Sequence, residues 1–323
     1  MAIPSASVLI LALVAFGSEP IPSVRPVEFR SWFDQATEGR LRIPEDVRTR
    51  ASRFRYVFVS GLGNERMPSY FAQNVAELQA QGVPRSAIHE VQPSSHVSLA
   101  ENLAQIRAGF REAAAAGPER LVLIAHSRGA CDALAYALRE PGFVRDRIAA
   151  LFLIQGPFGG SGLADYVVGE GEPMDRQMPR RARIVAKTVG ALERSALKRG
   201  RHAGLEELTR DAAREFWDRE LEAHASAIPV VSARTFFIGG SVALSQQHWL
   251  RKPLARYLHE YYGPNDGVVV ASDQSLEGFG TDLGRLDVGH TDLTHRFPAA
   301  RARPRLRHAL IQAIIMAVGR EDR

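Results

Sequence analysis

The chain has 323 residues, 45% of them hydrophobic and 24% charged, with a formal net charge of +5. That describes an ordinary globular protein of one large domain or two modest ones. Lys occurs only at Lys187, Lys198 and Lys252, so Arg supplies 38 of the 41 basic residues, an Arg and Ala bias that reads as genome composition. With no zinc-finger spacing and no basic region followed by heptads, no nucleic-acid partner is expected. The single cysteine, Cys131, excludes an intramolecular disulfide and offers no metal cluster.

Val8 to Phe16 is an unbroken apolar run of nine residues, too short to span a bilayer. Ala15-Phe16-Gly17 suits a signal-peptidase cut, although no Lys or Arg precedes the run. Residues 1–20 therefore read as a leader, favouring an exported or membrane-associated protein, with a packed tail of the mature domain as the other reading. Residues 21–54, with prolines at 22, 26 and 44, read as surface decoration.

Arg55 to Ser60 reads as a strand ended by Gly61-Leu62-Gly63-Asn64, Tyr70 to Gln81 as a helix, and Ala87 to Val91 as a weaker strand. Ser98 and Glu101 form a capping-box pattern, and the helix behind it lines up Leu99, Leu103, Ile106 and Phe110. Strands at 121–125 and 151–154 flank a helix from about 128. This alternation of strand and helix predicts an α/β fold with a mostly parallel sheet flanked by helices. From Gly159 to Ile228 the pattern turns Arg-rich and helical, with no convincing strand, and reads as a lid or cap inserted over the sheet. Strand character returns at Thr235 to Ile238, and again at Val268 to Val270 and Arg285 to Val288. Arg305 to Val318 reads as an amphipathic helix. The expected division is 1–20 leader, 21–158 and 229–323 core, and 159–228 lid.

The segment Ala125-His126-Ser127-Arg128-Gly129 follows the buried run Leu121-Val122-Leu123-Ile124 and precedes a helix. A serine on so sharp a strand-to-helix turn needs small residues two before and two after it, and Ala125 and Gly129 supply them. The helix N-terminus aims free N–H groups at the reacting oxygen. A serine hydroxyl needs a base and a group that orients the base. In open α/β sheets these lie past the carboxyl ends of later strands. Asp266 sits in the turn Gly263-Pro264-Asn265-Asp266-Gly267, and His290 follows a short strand in Val288-Gly289-His290-Thr291-Asp292. The order Ser127, Asp266, His290 fits a hydrolase of this architecture. Asp273 and Asp287 are rival acids, the latter expected within the strand before His290, and His295 is a rival base. His126 is expected to pack or to shape the pocket. An oxyanion hole needs two converging backbone donors. Arg128 N–H is one candidate, and Leu62 N–H, with Gly63 second, is the other.

Together these residues resemble the α/β-hydrolase superfamily, and within it the lipase-like bacterial serine esterases. Ala-His-Ser-Arg-Gly resembles the pentapeptide of a lipase subset in which Ala replaces the first Gly. Ser60-Gly61-Leu62 is similar to the His-Gly-X oxyanion segment with Ser in place of His. Gln155 to Asp165 is similar to the segment leading into the lid, with Phe158 where His is usual. Asn265-Asp266-Gly267 and Gly289-His290-X-Asp292 match the acid and histidine loops. The resemblance covers 55–166 and 234–295 and implies an α/β-hydrolase fold with a helical lid. It also implies two-step ester hydrolysis through Ser127, His290 and Asp266, with Leu62 and Arg128 as oxyanion donors and no cofactor. Some such lipases hold calcium through the Asp two after the histidine. Asp292 fits, but Ser241 to Tyr262 contains no Asp for a second ligand, so no metal is expected and Asp292 reads as a hydrogen-bonding or capping residue.

A lid of about 70 residues implies an ester larger than an acetate, lipid-like in character. The Arg-rich stretch from Arg176 to Arg201 suits contact with an anionic lipid surface, or forms a plain solvated face. A thioesterase, an acyltransferase or a peptidase can use the same triad. A catalytically silent fold that only binds lipid is the reading outside catalysis.

Overall fold

The computed structural model describes residues 19–67, 69–168, 203–247, 251–295 and 304–321. The leader reading at 1–18 and the Arg-rich stretch from Arg176 to Arg201 lie outside the described residues.

Among the described residues, six strands form one sheet in the order β2-β1-β3-β4-β5-β6. They are β1 Arg55–Val59, β2 Ile88–Val91, β3 Leu121–His126, β4 Ile148–Ile154, β5 Thr235–Gly240 and β6 Thr281–Leu286. Every neighbouring pair is parallel. The central strands read as unbroken apolar runs because both faces of a parallel sheet are covered. Side chains alternate between the two faces. Tyr56, Phe58, Val122, Ile124, Phe152 and Ile154 enter one core, while Val57, Val59, Leu121, Leu123, Leu151 and Leu153 enter the other.

The second core is closed by α4 Leu99–Ala115, α5 Arg128–Arg139, α6 Pro141–Arg147, α9 Arg210–Ala223 and α10 Ile228–Ser232. The α4 start is a complete capping box: Ser98 Oγ accepts from Glu101 N–H at 3.1 Å, and the Glu101 carboxylate accepts from Ser98 N–H at 2.9 Å. The first core is closed by α3 Ala72–Ala80 and the C-terminal helix α12 Pro304–Gly319, together with two helices in the region expected to be surface decoration. These are α1 Pro26–Thr37 and α2 Glu45–Ala51. Pro26 stands in the first turn of α1, where its missing N–H costs nothing. Phe29, Phe33, Val47 and Ala51 are buried, and both helices pack against α12.

The last strand also differs from expectation. β6 runs from Thr281 to Leu286 and pairs with β5, whereas Val268 to Val270 forms no strand and contributes only a bridge from Val270 to Asn265. Asp287 lies just past β6 and is exposed, instead of sitting inside the strand.

α7 Gly162–Val168 and α8 Ala203–Glu206 are helical, and with α9 they leave the described parts of 159–228 without a strand. α11 Lys252–Tyr262 precedes the Asp266 turn. Among the described residues, no helix is long and apolar enough to cross a membrane.

Candidate active site

β1 lies between β2 and β3, so the chain leaves it in one direction across the sheet and returns on its other side. Such a reversal opens a crevice at the carboxyl ends of the two strands. The loop after β1 and the turn after β3 meet there. Ser127 holds φ of 56° and ψ of −132°, a conformation non-glycine residues rarely adopt. Its N–H donates to Ile154 O at 2.9 Å, which ties the turn to β4. A Cβ at Gly129 would stand 2.4 Å from Ser60 O, and one at Gly61 would stand 2.8 Å from Ser127 Cβ. The two turns touch so closely that both positions need glycine.

The structure brings the three residues of the expected triad together. Ser127 Oγ is 3.0 Å from His290 Nε2, and His290 Nδ1 is 2.8 Å from Asp266 Oδ2. Asp266 is fully buried and His290 is 6% exposed. His290 N–H also donates to Asp266 O at 2.9 Å, so backbone and ring are both fixed on the acid turn. A carboxylate only accepts, so Nδ1 carries the proton and Nε2 accepts the hydrogen bond of the Ser127 hydroxyl.

Asp266 accepts from several further donors. Val268 N–H and Val269 N–H donate to Oδ1 at 2.9 and 2.8 Å. Gln155 Nε2 and Gln274 Nε2 donate to Oδ2 at 2.8 and 3.3 Å. The apolar run Val268 to Val270 therefore serves as a turn that caps the acid. Gln155 closes β4 with φ of 49°, a strained backbone whose side chain meets the acid. Neither glutamine carries a local signature, because each amide meets the acid only in the folded chain.

The rivals stand elsewhere. Asp273 pairs with Arg210, and its carboxyl is pushed up by burial against the pull of that guanidinium. His295 lies against Tyr70 at a ring-centroid distance of 4.4 Å, and burial holds its imidazole down at about 3. Asp292 Oδ2 accepts from Gly289 N–H at 2.9 Å, the hydrogen-bonding role expected of it. Phe158 is a core residue, edge-on to Phe237 at 5.1 Å. Among the described residues, no cluster of three or more His, Cys, Asp or Glu is arranged to hold a metal ion.

Of the oxyanion candidates, Gly63 N–H is engaged by Ser95 Oγ at 2.8 Å. Among the described residues, the N–H groups of Leu62 and Arg128 have no acceptor. The Arg128 side chain is buried. It donates to the carbonyls of Ser95 and Val97 and pairs with Glu207 at 3.7 Å. One turn further along α5, burial pushes the Asp132 carboxyl up to about 7, with Arg128 opposing. A carboxyl whose folded pKa lies above its unfolded value binds more protons when folded, so its contribution to stability is lost as pH rises from about 4 through about 7. Asp132→Asn is therefore expected to spare the fold a loss of about 2 kcal/mol between pH 5 and pH 8. Urea denaturation of both proteins at the two pH values measures it, and an equal change in both would contradict it.

No family model matches the chain, and no curated protein sequence matches it. Its structure is similar to that of a carboxyl esterase from a metagenome, with a TM-score of 0.60 and 20% identity over 83% of this chain and 76% of that one. It is also similar to a Bacillus licheniformis lipase in its mature form, with a TM-score of 0.52 and 16% identity over 74% of this chain and 85% of that one. With the parallel sheet, its flanking helices and the strained serine turn after β3, these likenesses show that the chain has the α/β-hydrolase fold.

Proposed function

We propose that this chain is a serine hydrolase of carboxylic esters, with Ser127 as nucleophile, His290 as general base and acid, and Asp266 as the group that orients His290. The observation that carries the proposal is the continuous hydrogen-bond chain from Ser127 Oγ through His290 to Asp266 at the crevice of a parallel sheet. The esterase and lipase activities named for the two similar structures support the ester substrate.

Ser127 Oγ attacks the ester carbonyl carbon as its proton passes to His290 Nε2. Negative charge gathers on the former carbonyl oxygen, where Leu62 N–H and Arg128 N–H are the proposed donors. The imidazolium gives its proton to the leaving alkoxide, so an alcohol departs and an acyl-serine remains. Water, deprotonated by the same nitrogen, attacks the acyl carbon and releases the acid, and the proton returns to Ser127. Asp266 stays ionised throughout and stabilises the imidazolium it faces.

The reading extends to lipid-like esters, because the sequence from Gly159 to Ile228 has the length expected of a lid that selects bulk, and the Arg-rich composition of Arg176 to Arg201 suits an anionic lipid surface. A panel of p-nitrophenyl esters from acetate to palmitate, beside acyl thioesters and peptide anilides, tests the proposal. Turnover of oxygen esters above the other classes supports it. Exclusive turnover of thioesters or anilides would reassign the same triad, and binding of anionic vesicles without turnover of any substrate would point to a silent module.

A further inference from the structure

The residue before the nucleophile is a histidine that the mechanism does not use. His126 is fully buried at the end of β3, and its two ring nitrogens both have partners. Nε2 lies 2.7 Å from the backbone oxygen of His290, and Nδ1 lies 2.6 Å from Tyr70 Oη. A carbonyl oxygen only accepts, so Nε2 carries the proton and donates. In the neutral ring Nδ1 then accepts from the Tyr70 hydroxyl. The oxygen of that hydroxyl lies against Gly61, where a Cβ would stand 2.8 Å from it, at the loop that offers Leu62 to the oxyanion.

The neutral form follows from the surroundings. His126 packs beside His290 and His295 at ring-centroid distances of 4.9 and 6.4 Å. A second positive charge there would oppose the imidazolium that His290 must become.

We infer that Tyr70 and His126 are positioning residues for the reaction, holding the base and the oxyanion loop in register with the nucleophile; this rests on the reading of Ser127 and His290 given above. The contacts close a ring. It runs from Ser127 along the backbone to His126, through Nε2–H to the His290 carbonyl, and through the His290 ring back to Ser127 Oγ. With His290 N–H held by Asp266 O, both backbone polar groups of the base are fixed. Loosening either one lets the imidazole drift from the serine, and small misplacements of reacting groups are costly.

The experiment compares full-length Tyr70→Phe, His126→Asn, His126→Gln and Ser127→Ala on p-nitrophenyl butyrate. The wild type and the Tyr70 and His126 variants are titrated with a fluorophosphonate so that kcat refers to reactive serines, Ser127→Ala is referred to total protein, and thermal unfolding is followed in parallel. The Gln amide replaces Nε2–H, whereas the shorter Asn leaves the His290 carbonyl without a donor. His126→Asn is expected to lower kcat about thirtyfold and Tyr70→Phe about fivefold with KM within about twofold, while His126→Gln recovers to within about threefold of wild type, the scale of single buried hydrogen bonds. A purely structural role would lower the unfolding temperature and leave kcat per titrated site unchanged, and that result overturns the inference. So does His126→Gln falling as low as His126→Asn. If His126→Asn does not fold, Tyr70→Phe decides, since it keeps the ring and removes one hydroxyl. Turnover by Ser127→Ala would overturn the reading beneath; a dead Ser127→Ala beside an unaltered His126→Asn overturns this inference alone.

Discussion

Ser127→Ala is expected to abolish ester turnover, lowering kcat by on the order of 10⁶-fold, as removal of an activated serine does elsewhere. The loss is chemical. Alanine has the same Cβ and meets the same backbone strain at φ of 56°. The N–H that ties residue 127 to Ile154 O is unchanged, and Gly61 and Gly129 keep the contacts that fit around the turn. What goes is the oxygen 3.0 Å from His290 Nε2. Thermal unfolding within a few degrees of wild type, alongside rates at the buffer background, is the expected pair of results. Substantial residual turnover would remove Ser127 from the mechanism.

Asp266→Asn is expected to lower kcat by on the order of 10³–10⁴-fold, because an amide favours the wrong histidine tautomer. The surroundings of this acid sharpen the argument. Oδ1 accepts from two backbone N–H groups, and Oδ2 accepts from Gln155, Gln274 and His290. An Asn can satisfy Val268 and Val269 with its oxygen, but its NH₂ then faces donors on every side. Relief comes if His290 presents a bare Nδ1, and its proton then sits on Nε2, where the serine proton must go. The pH–rate profile and kcat of Asp266→Asn measure this. Asp287→Asn provides the contrast, since Asp287 is exposed beyond β6 and a change there is expected to leave kcat near wild type. The reverse pattern would exchange the two assignments.

The candidate site was legible in the sequence where its geometry depends on local backbone. The serine turn needs a buried strand, small residues and a helix start, and all lie within a short span from Leu121 to Leu138. The central strands were legible because burial on both faces leaves continuous apolar runs. β6 was misplaced because it is a partly exposed edge strand, with Thr281, Asp282 and Arg285 among its residues. The helices at Pro26–Thr37 and Glu45–Ala51 were missed because their prolines read as loop punctuation, while their buried faces become apparent only against the C-terminal helix. Gln155, Gln274 and Tyr70 leave no local signal at all. Gln155 and Tyr70 meet Asp266 and His126 across 111 and 56 positions of sequence, and Gln274 meets Asp266 within one loop, across 8 positions.

The central claim is that Ser127 is an activated nucleophile, and the most direct test is intact mass after incubation with a fluorophosphonate, for wild type and Ser127→Ala. One phosphonyl adduct on the folded wild type, located on Ser127 and absent from the variant, is the predicted result. A folded wild type that takes up no adduct, or equal labelling of both proteins, would contradict it.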